Sequence, residues 1–481
     1  MERERLLGFQ PTDDGQPNAE SDVSFRCVRS RYETVRIAGV ATAPASFWLL
    51  LRNKTMAKLG SVTTQVGSLQ KTAPNIPTDE KVGGILFDIS GFDNPFADYL
   101  QLDENFGSQQ IRLINNMDDA EYIGIKDNGF LGGLVYYHLS AFYNYIGTDA
   151  PLFIAFADCS SNWDFISTMQ RQCGGKMFQL GIWTHQNLWE IDGSTGLIAF
   201  SNLVVDIENA TEELTGKVGL PSPSPTPLSV ILSPNTNIGE FRNFSLKKLP
   251  DGFSLDAPKV SVLLYQNGTD AVHNMQSNMP DNAPVGSIGL TMALLCLAGA
   301  EESIGNVKDY NLNKNDDYEE PEVVANGMYY KTSELSKNVL NIVTSLGYIV
   351  PVSYAAKEGE CFLNGDMTFS NGDYCTIANN RVIHKCRRAI FSVLLPYLHS
   401  NQLYDSSRKG LAASVIQTFH EEIGAALSGK LINKTGNYQI NGYQIDTFDT
   451  ENILEDDSVT IQYTVGPVNY NGTLTDNVTA Q

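Results

Sequence analysis

The side chains best placed to do chemistry are Cys159 and His185. Cys159 follows a predicted strand in FADCSSNWD, and His185 follows the next predicted strand, MFQLGIW. In open parallel sheets, sites gather beyond the carboxyl ends of the strands. The chemistry this pair could perform is attack by a thiolate with an imidazole as base. However, the G-x-S-x-G turn of many α/β hydrolases is absent, and no spacing brings the two side chains together. The plainer reading is a small buried thiol and a polar loop histidine. The expectation is therefore a protein that is not an enzyme, with no catalytic residue assigned. A cytoplasmic α/β enzyme with a Cys159/His185 site stands as the alternative.

Other chemistries find less support. The six histidines (138, 185, 273, 384, 399 and 420) are dispersed, with no H-x-x-x-H pair to hold a metal. The acidic stretch Asp316–Glu322 lacks the spacing of an EF-hand loop. CGGKMF contains Gly-Gly-Lys, but Met177 stands where a phosphate-binding loop has Ser or Thr. No metal or cofactor is expected. The seven cysteines are odd in number and form no C-x-x-C pair, which points to buried free thiols in a reducing compartment. The opening residues carry charges and no apolar h-region, so no secretory signal is expected. A formal charge of −22 argues against binding a phosphate backbone.

Against that charge, one segment is unexpectedly basic. In NGDYCTIANNRVIHKCRRAIFSVLLP, the cations Arg381, Lys385, Arg387 and Arg388 fall close together with His384 on one predicted helix. Arg381, His384, Lys385 and Arg388 share one side, flanking the apolar stripe Val382, Cys386, Ala389, Ile390 and Val393. No acid on the helix itself pairs with them. Two readings stay open: a solvated face, or a docking face for an acidic protein partner.

The elements that must position these residues alternate. GGILFDIS, PLFIAFAD, MFQLGIW, LSVILSP, KVSVLLYQ and YIVPVSY are short apolar runs bounded by turn residues, which predict buried strands. Between them, FLGGLVYYHLSAFYNYIG and NWDFISTMQRQCGG predict helices closed by glycine. PVGSIGLTMALLCLAGAEESIGNV predicts a helix of small residues, and Leu335, Val339, Ile342, Val343 and Leu346 mark an amphipathic one ending at Gly347. This order implies an α/β fold with a mainly parallel sheet and flanking helices. GLPSPSPTP reads as a stiff crossing loop. The expected division is an N-terminal arm over 1–35, a central α/β region over 36–372, a helical C-terminal domain over 373–458 and an arm strand over 459–481. That last strand, alternating through Val459, Ile461, Tyr463 and Val465, has no evident partner nearby.

From about Lys259 onward the sequence resembles contractile tail sheath proteins, found in contractile-tailed phages and related contractile injection systems. KVSVLLYQNGTD, SIGLTMALLCLAGAEESIGNVKDYNLN and the block from SLGYIVPVSY to the basic helix follow one another in the family's order. Tyr374, Asn380, Arg381, Ile383, Lys385 and Arg388 occupy matching positions, whereas Asn306 and Phe362–Gly365 depart from the pattern. The resemblance implies a C-terminal α+β sheath domain with extended terminal arms, and subunits stacked as hexameric rings around an inner tube. It implies contraction by rigid-body repacking that drives the tube through a cell envelope. Partners would be further copies of the chain, the inner tube protein, and baseplate and tail-terminator proteins, with no nucleic acid and no membrane insertion. Assembly would occur in the bacterial cytoplasm, and the product would be a phage virion tail or injection particle. The segment Val459, Thr460, Ile461, Gln462, Tyr463, Thr464 and Val465 would be an inter-subunit arm. Arg381, Lys385 and Arg388 would face acidic groups on the tube.

Overall fold

A computed structural model describes residues 33–38, 80–92, 110–215, 226–397, 403–449 and 458–468, with short interruptions. Most of the expected N-terminal arm and of the Gly219–Pro227 loop lies outside the described residues. So do Asp316, Asp317, Glu319, His399 and the tail beyond Val468.

In chain order the elements are β1 (Glu33–Ala38), β2 (Gly83–Asp88), β3 (Gln110–Ile114), α1 (Met117–Tyr122), α2 (Phe130–Ile146), β4 (Leu152–Ala157), α3 (Phe165–Gln172) and β5 (Gln179–Asn187). A hairpin of β6 (Trp189–Ile191) and β7 (Ile198–Phe200) leads to α4 (Leu203–Glu212) and β8 (Ser229–Asn235). Next come β9 (Val260–Leu263), β10 (Tyr265–Asn267), α5 (Asp270–Gln276), α6 (Ile288–Leu297), β11 (Pro321–Ala325) and β12 (Met328–Lys331). The remainder is α7 (Lys337–Ser345), β13 (Tyr348–Val352), β14 (Phe362–Asn364), α8 (Ile377–Leu394), α9 (Ala413–Lys430), β15 (Ile440–Asp449) and β16 (Ser458–Pro467).

Eight strands form the central sheet in the order β14-β13-β9-β8-β5-β2-β4-β3. The inner pairings are parallel. Only the edge strands β3 and β14 run antiparallel to their neighbours. The six apolar runs named above supply the inner strands, because a strand covered on both faces has no polar side to show. Successive side chains of β2 divide between the two faces: Ile85 and Phe87 enter a core with α2 and α6, while Leu86 enters one with α3, α4 and α7. The architecture is three layers, helices on both faces of a mostly parallel sheet, as the alternation of elements requires.

Two glycines do specific work. Gly147 ends α2 in the left-handed region at φ 70°, with its N–H on Tyr143 O. Gly289 lets α6 lie directly on α2, since a Cβ there would collide with the His138 carbonyl. The small-residue helix is shorter than its sequence suggests. It closes at Leu297, and the chain turns at Ala298 and Gly299, whose carbonyls Arg381 engages.

Candidate functional site

α8 is the residue-dense feature of the C-terminal part. Thr376 caps it, its hydroxyl accepting from Asn379 N at 3.1 Å. Its apolar stripe, Val382, Ile383, Cys386, Ala389, Ile390 and Leu394, packs with Phe419, Ile423 and Leu427 of α9 and with Ile461, Tyr463 and Val465 of β16. The flank carrying the cations is not solvated. Arg381 and Arg388 are 0% exposed and Lys385 7%.

Each cation meets the central domain. Arg381 donates to the carbonyls of Leu295, Ala298 and Gly299 at 3.0 Å and to Glu80 O at 3.2 Å. Those of Leu295, Ala298 and Gly299 lie at the C-terminal end of α6, where helical carbonyls lack partners and the helix dipole is negative. Arg388 donates to Gly175 O at 2.5 Å, Met177 O at 2.6 Å and Pro227 O at 3.0 Å, and lies over the Phe178 ring at 4.1 Å. The Gly-Gly-Lys motif thus forms a left-handed turn, with Gly174 and Gly175 at φ 66° and 71°, that hands its carbonyl to an arginine. Burial pushes the Arg388 guanidinium down to about 9, which still leaves it charged at neutral pH. Lys385 pairs with Glu80 at 2.7 Å, and Gln439 donates to the other Glu80 oxygen at 3.1 Å. His384 is held neutral: burial first, then Arg387, Lys259 and Arg388, push it well below its usual range.

The expectation that Arg381, Lys385 and Arg388 face an external tube is therefore corrected. In this chain they point inward and fix α8 to the central domain. The physical reason is a buried set of carbonyls that guanidinium groups satisfy, a demand that helical spacing alone does not reveal.

The terminal strand also differs from expectation. β16 lies between β15 and β1 and is antiparallel to both. Its alternation holds: Ile461, Tyr463 and Val465 are buried, and Gln462 and Thr464 are half-buried. For Val459 and Thr460 only the backbone is described, opposite Ile37 and Arg36. The expectation of a strand without a nearby partner is corrected, because β15 stands a few residues upstream in the same chain. Sequence reasoning missed β15; its polar residues and two register shifts, at Ile440/Gly442 and Ile445/Thr447, blur the period.

At the carboxyl ends of the parallel strands, Asp88 is fully buried and accepts four hydrogen bonds: from Ser90 N at 3.0 Å, Cys159 N at 3.2 Å, Thr184 Oγ1 at 2.6 Å and Gln186 Nε2 at 3.0 Å. It ties together the ends of β2, β4 and β5. Cys159 is 2% exposed, and burial, with the nearby Asp88 and Asp158 carboxylates, pushes its thiol well up. A protonated, buried thiol is a poor nucleophile, which corrects the Cys159/His185 alternative. The partners of His185 are instead Ser90, with Oγ 2.9 Å from Nε2, and Asp281, with Oδ2 3.2 Å from Nδ1. Neither was singled out in the sequence, and no local pattern could have paired them. Among the described residues, no group of three or more His, Cys, Asp or Glu side chains is placed to hold a metal ion. No described helix is long and apolar enough to cross a membrane.

No family model matches the chain, and no curated protein matches it. Among solved structures, it is similar to a chain of the "anti-feeding prophage (AFP) baseplate, 6-fold symmetrised", determined by cryo-EM. The identity is 10%, the TM-score 0.46, and the alignment covers 88% of this chain and 99% of that one. At that identity and score the likeness assigns neither a family nor a role.

Proposed function

We propose that this protein is a structural subunit of a contractile injection particle, built into its tail sheath. Copies form hexameric rings that stack around an inner tube and contract by repacking as rigid bodies, without a cofactor or hydrolysis at the sheath. The ordered sheath-like sequence blocks support this reading.

The observation that carries it is the terminal sheet. Its central strand, β16, is completed on one edge by β1, whose six residues pair with Ser458–Tyr463. That N-terminal strand comes from the far end of the chain. Main-chain pairing asks little of side chains, so an N-terminal strand from another copy satisfies the same edge. Six paired residues, at about 0.5–1.5 kcal/mol net per hydrogen bond, give a link of a few kcal/mol. Such a link can hold while the domains on either side rotate. The inward-facing arginines fit the same mechanics, because they make α8 and the central sheet one rigid unit that moves without internal change.

The test uses the register. Thr34 and Gln462 are opposite one another. With Thr34→Cys and Gln462→Cys introduced together, oxidised assemblies should run on denaturing gels as ladders of covalently joined chains. Oxidation that yields only internally looped monomers from intact particles would refute strand exchange. Negative-stain microscopy of the purified chain should show striated tubes; a population that stays monomeric under all assembly conditions would sink the sheath assignment.

A further inference from the structure

We propose that Ser90, His185 and Asp281 form a nucleophilic acyl-transfer site, with small activated esters as its substrate class. This goes beyond the structural role and does not depend on it.

The trio lies where the sheet reverses its winding. β2 lies between β4 and β5. The chain leaving β2 runs through β3 to β4 on one side, and the chain leaving β5 runs to β8 on the other. Neighbouring strands whose connections diverge leave a crevice beyond their carboxyl ends, the position at which open α/β sheets bind ligands. Ser90 follows β2 and His185 lies near the end of β5.

The hydrogen-bond polarity is that of an activated hydroxyl. A carboxylate only accepts, so the Nδ1 facing Asp281 Oδ2 at 3.2 Å carries the proton. Nε2 then presents its lone pair to Ser90 Oγ at 2.9 Å. Both catalytic side chains are positioned by the buried Asp88, which holds the Ser90 N–H directly and grips Thr184 and Gln186 on either side of His185. Gly91 is required for the approach: a Cβ there would lie 2.7 Å from His185 Nε2 and 2.7 Å from Pro280 Cβ. Asp281 itself sits in the left-handed region at φ 52°, ψ 24°, a strained conformation for a non-glycine residue of the kind found at functional sites. Among the described residues the Gly91 N–H has no acceptor. The N–H following a nucleophile is one of the donors that hydrolases of this sheet type aim at an oxyanion.

In the reaction, Ser90 Oγ attacks the acyl carbon and its proton passes to His185 Nε2. The ester C–O bond breaks, and the departing alkoxide takes that proton. Water then attacks the acyl-Ser90, giving a proton to Nε2. The Oγ–C bond breaks, the carboxylic acid leaves and Oγ recovers the proton. Asp281 acts through His185 as a positioning residue; its side chain is 72% exposed against 15% for His185, so its effect is the smaller one.

The experiment treats the intact chain with a fluorophosphonate probe, in which fluoride takes the place of the alkoxide, and maps adducts by peptide mass spectrometry. Ser90 should label at least about tenfold faster than the exposed Ser160, and His185→Asn should remove that advantage. Asp281→Asn should slow labelling about two- to fivefold, with Asp281→Glu restoring most of it. Should His185→Asn fail to fold, Gly91→Ala displaces the imidazole without deleting a functional group and should give the same loss. Labelling of Ser90 no faster than Ser160, or undiminished in the folded His185→Asn or Gly91→Ala chain, overturns the proposal.

Discussion

The two flanks of α8 are held in opposite ways. One flank docks on the central domain through directional bonds: guanidinium and ammonium groups to eight carbonyl or carboxylate oxygens, at 2.5–3.2 Å. The other packs through aliphatic and aromatic contact on α9 and β16. Apolar contact is non-directional and tolerates small shifts, whereas a guanidinium fork has one register in which its donors are satisfied. The helix is thus pinned to the sheet and cushioned against the terminal elements. If part of this molecule moves as the rest stays fixed, the division falls between α8 and the terminal sheet, rather than between α8 and the core.

The largest effect should come from breaking the directional side. Arg388→Ala removes a buried guanidinium and leaves the carbonyls of Gly175, Met177 and Pro227 without it. A buried carbonyl left without its donor costs about 1–3 kcal/mol, so the loss should come to about 3–5 kcal/mol in all, measured as the fall in thermal stability of the unassembled chain. Arg388→Lys should recover less than half, because one ammonium cannot span three carbonyls spread around a planar fork. A lysine variant as stable as the parent would mean that charge, and not geometry, secures this flank.

The apolar side supplies the contrast. Leu427 of α9 is fully buried in the cluster it shares with α8 and β16. Leu427→Ala should cost about 2–4 kcal/mol through lost burial and a cavity. Its signature differs from that of Arg388→Ala. Amide exchange should rise in α9, β15 and β16 while β2, β5 and β8 stay protected, since local openings follow cooperative units. Equal loosening of the central strands would show that the two flanks are not separable.

How much of this the sequence made legible follows the same line. Inner parallel strands such as β4 and β8 read as unbroken apolar runs because both faces are covered, so their existence needed no partner to be known. The helix α8 was equally readable from its stripe. Its cation flank was not, because i, i+4, i+7 spacing is identical whether charges meet water, an external surface or buried carbonyls. That choice is made by Glu80, Gly175 and Gly299, residues 305, 213 and 82 positions from the cations they engage. The strand-end trio failed for the same reason. Ser90 and Asp281 stand 95 and 96 positions from His185, and only the strand order β4-β2-β5 brings the segments together. Cys159, adjacent to a strand end, was visible for its position and wrong for its burial.

Capping should matter less than either flank. Thr376→Ala removes the acceptor of the Asn379 N–H and should cost about 1 kcal/mol. Because the cap lies at the end of α8 next to the central domain, exchange should rise in the first turn and not beyond Lys385. Fraying that spreads into the α9 contact would place the cap, rather than the arginines, in control of the helix.

The smallest change, and the one that most sharply separates the flanks, is Glu80→Gln. Burial pushes the Glu80 carboxyl up, but the Lys385 charge and hydrogen bond, its own N–H and Gln439 outweigh it, and the net direction is down. A carboxylate depressed in the folded state contributes stability that is fully present above its unfolded value, near 4.5. That contribution is lost as pH falls through the folded value. At pH 7 the glutamine can still accept from Lys385, so the cost should be only about 0.5–1.5 kcal/mol. Below pH 4.5 the gap between parent and variant should close, because the parent's carboxyl is then being neutralised as well. The Leu427→Ala deficit should stay constant over the same range, having no proton in it. A Glu80→Gln deficit that widened on acidification would reverse the sign of the linkage and remove Glu80 from the directional side.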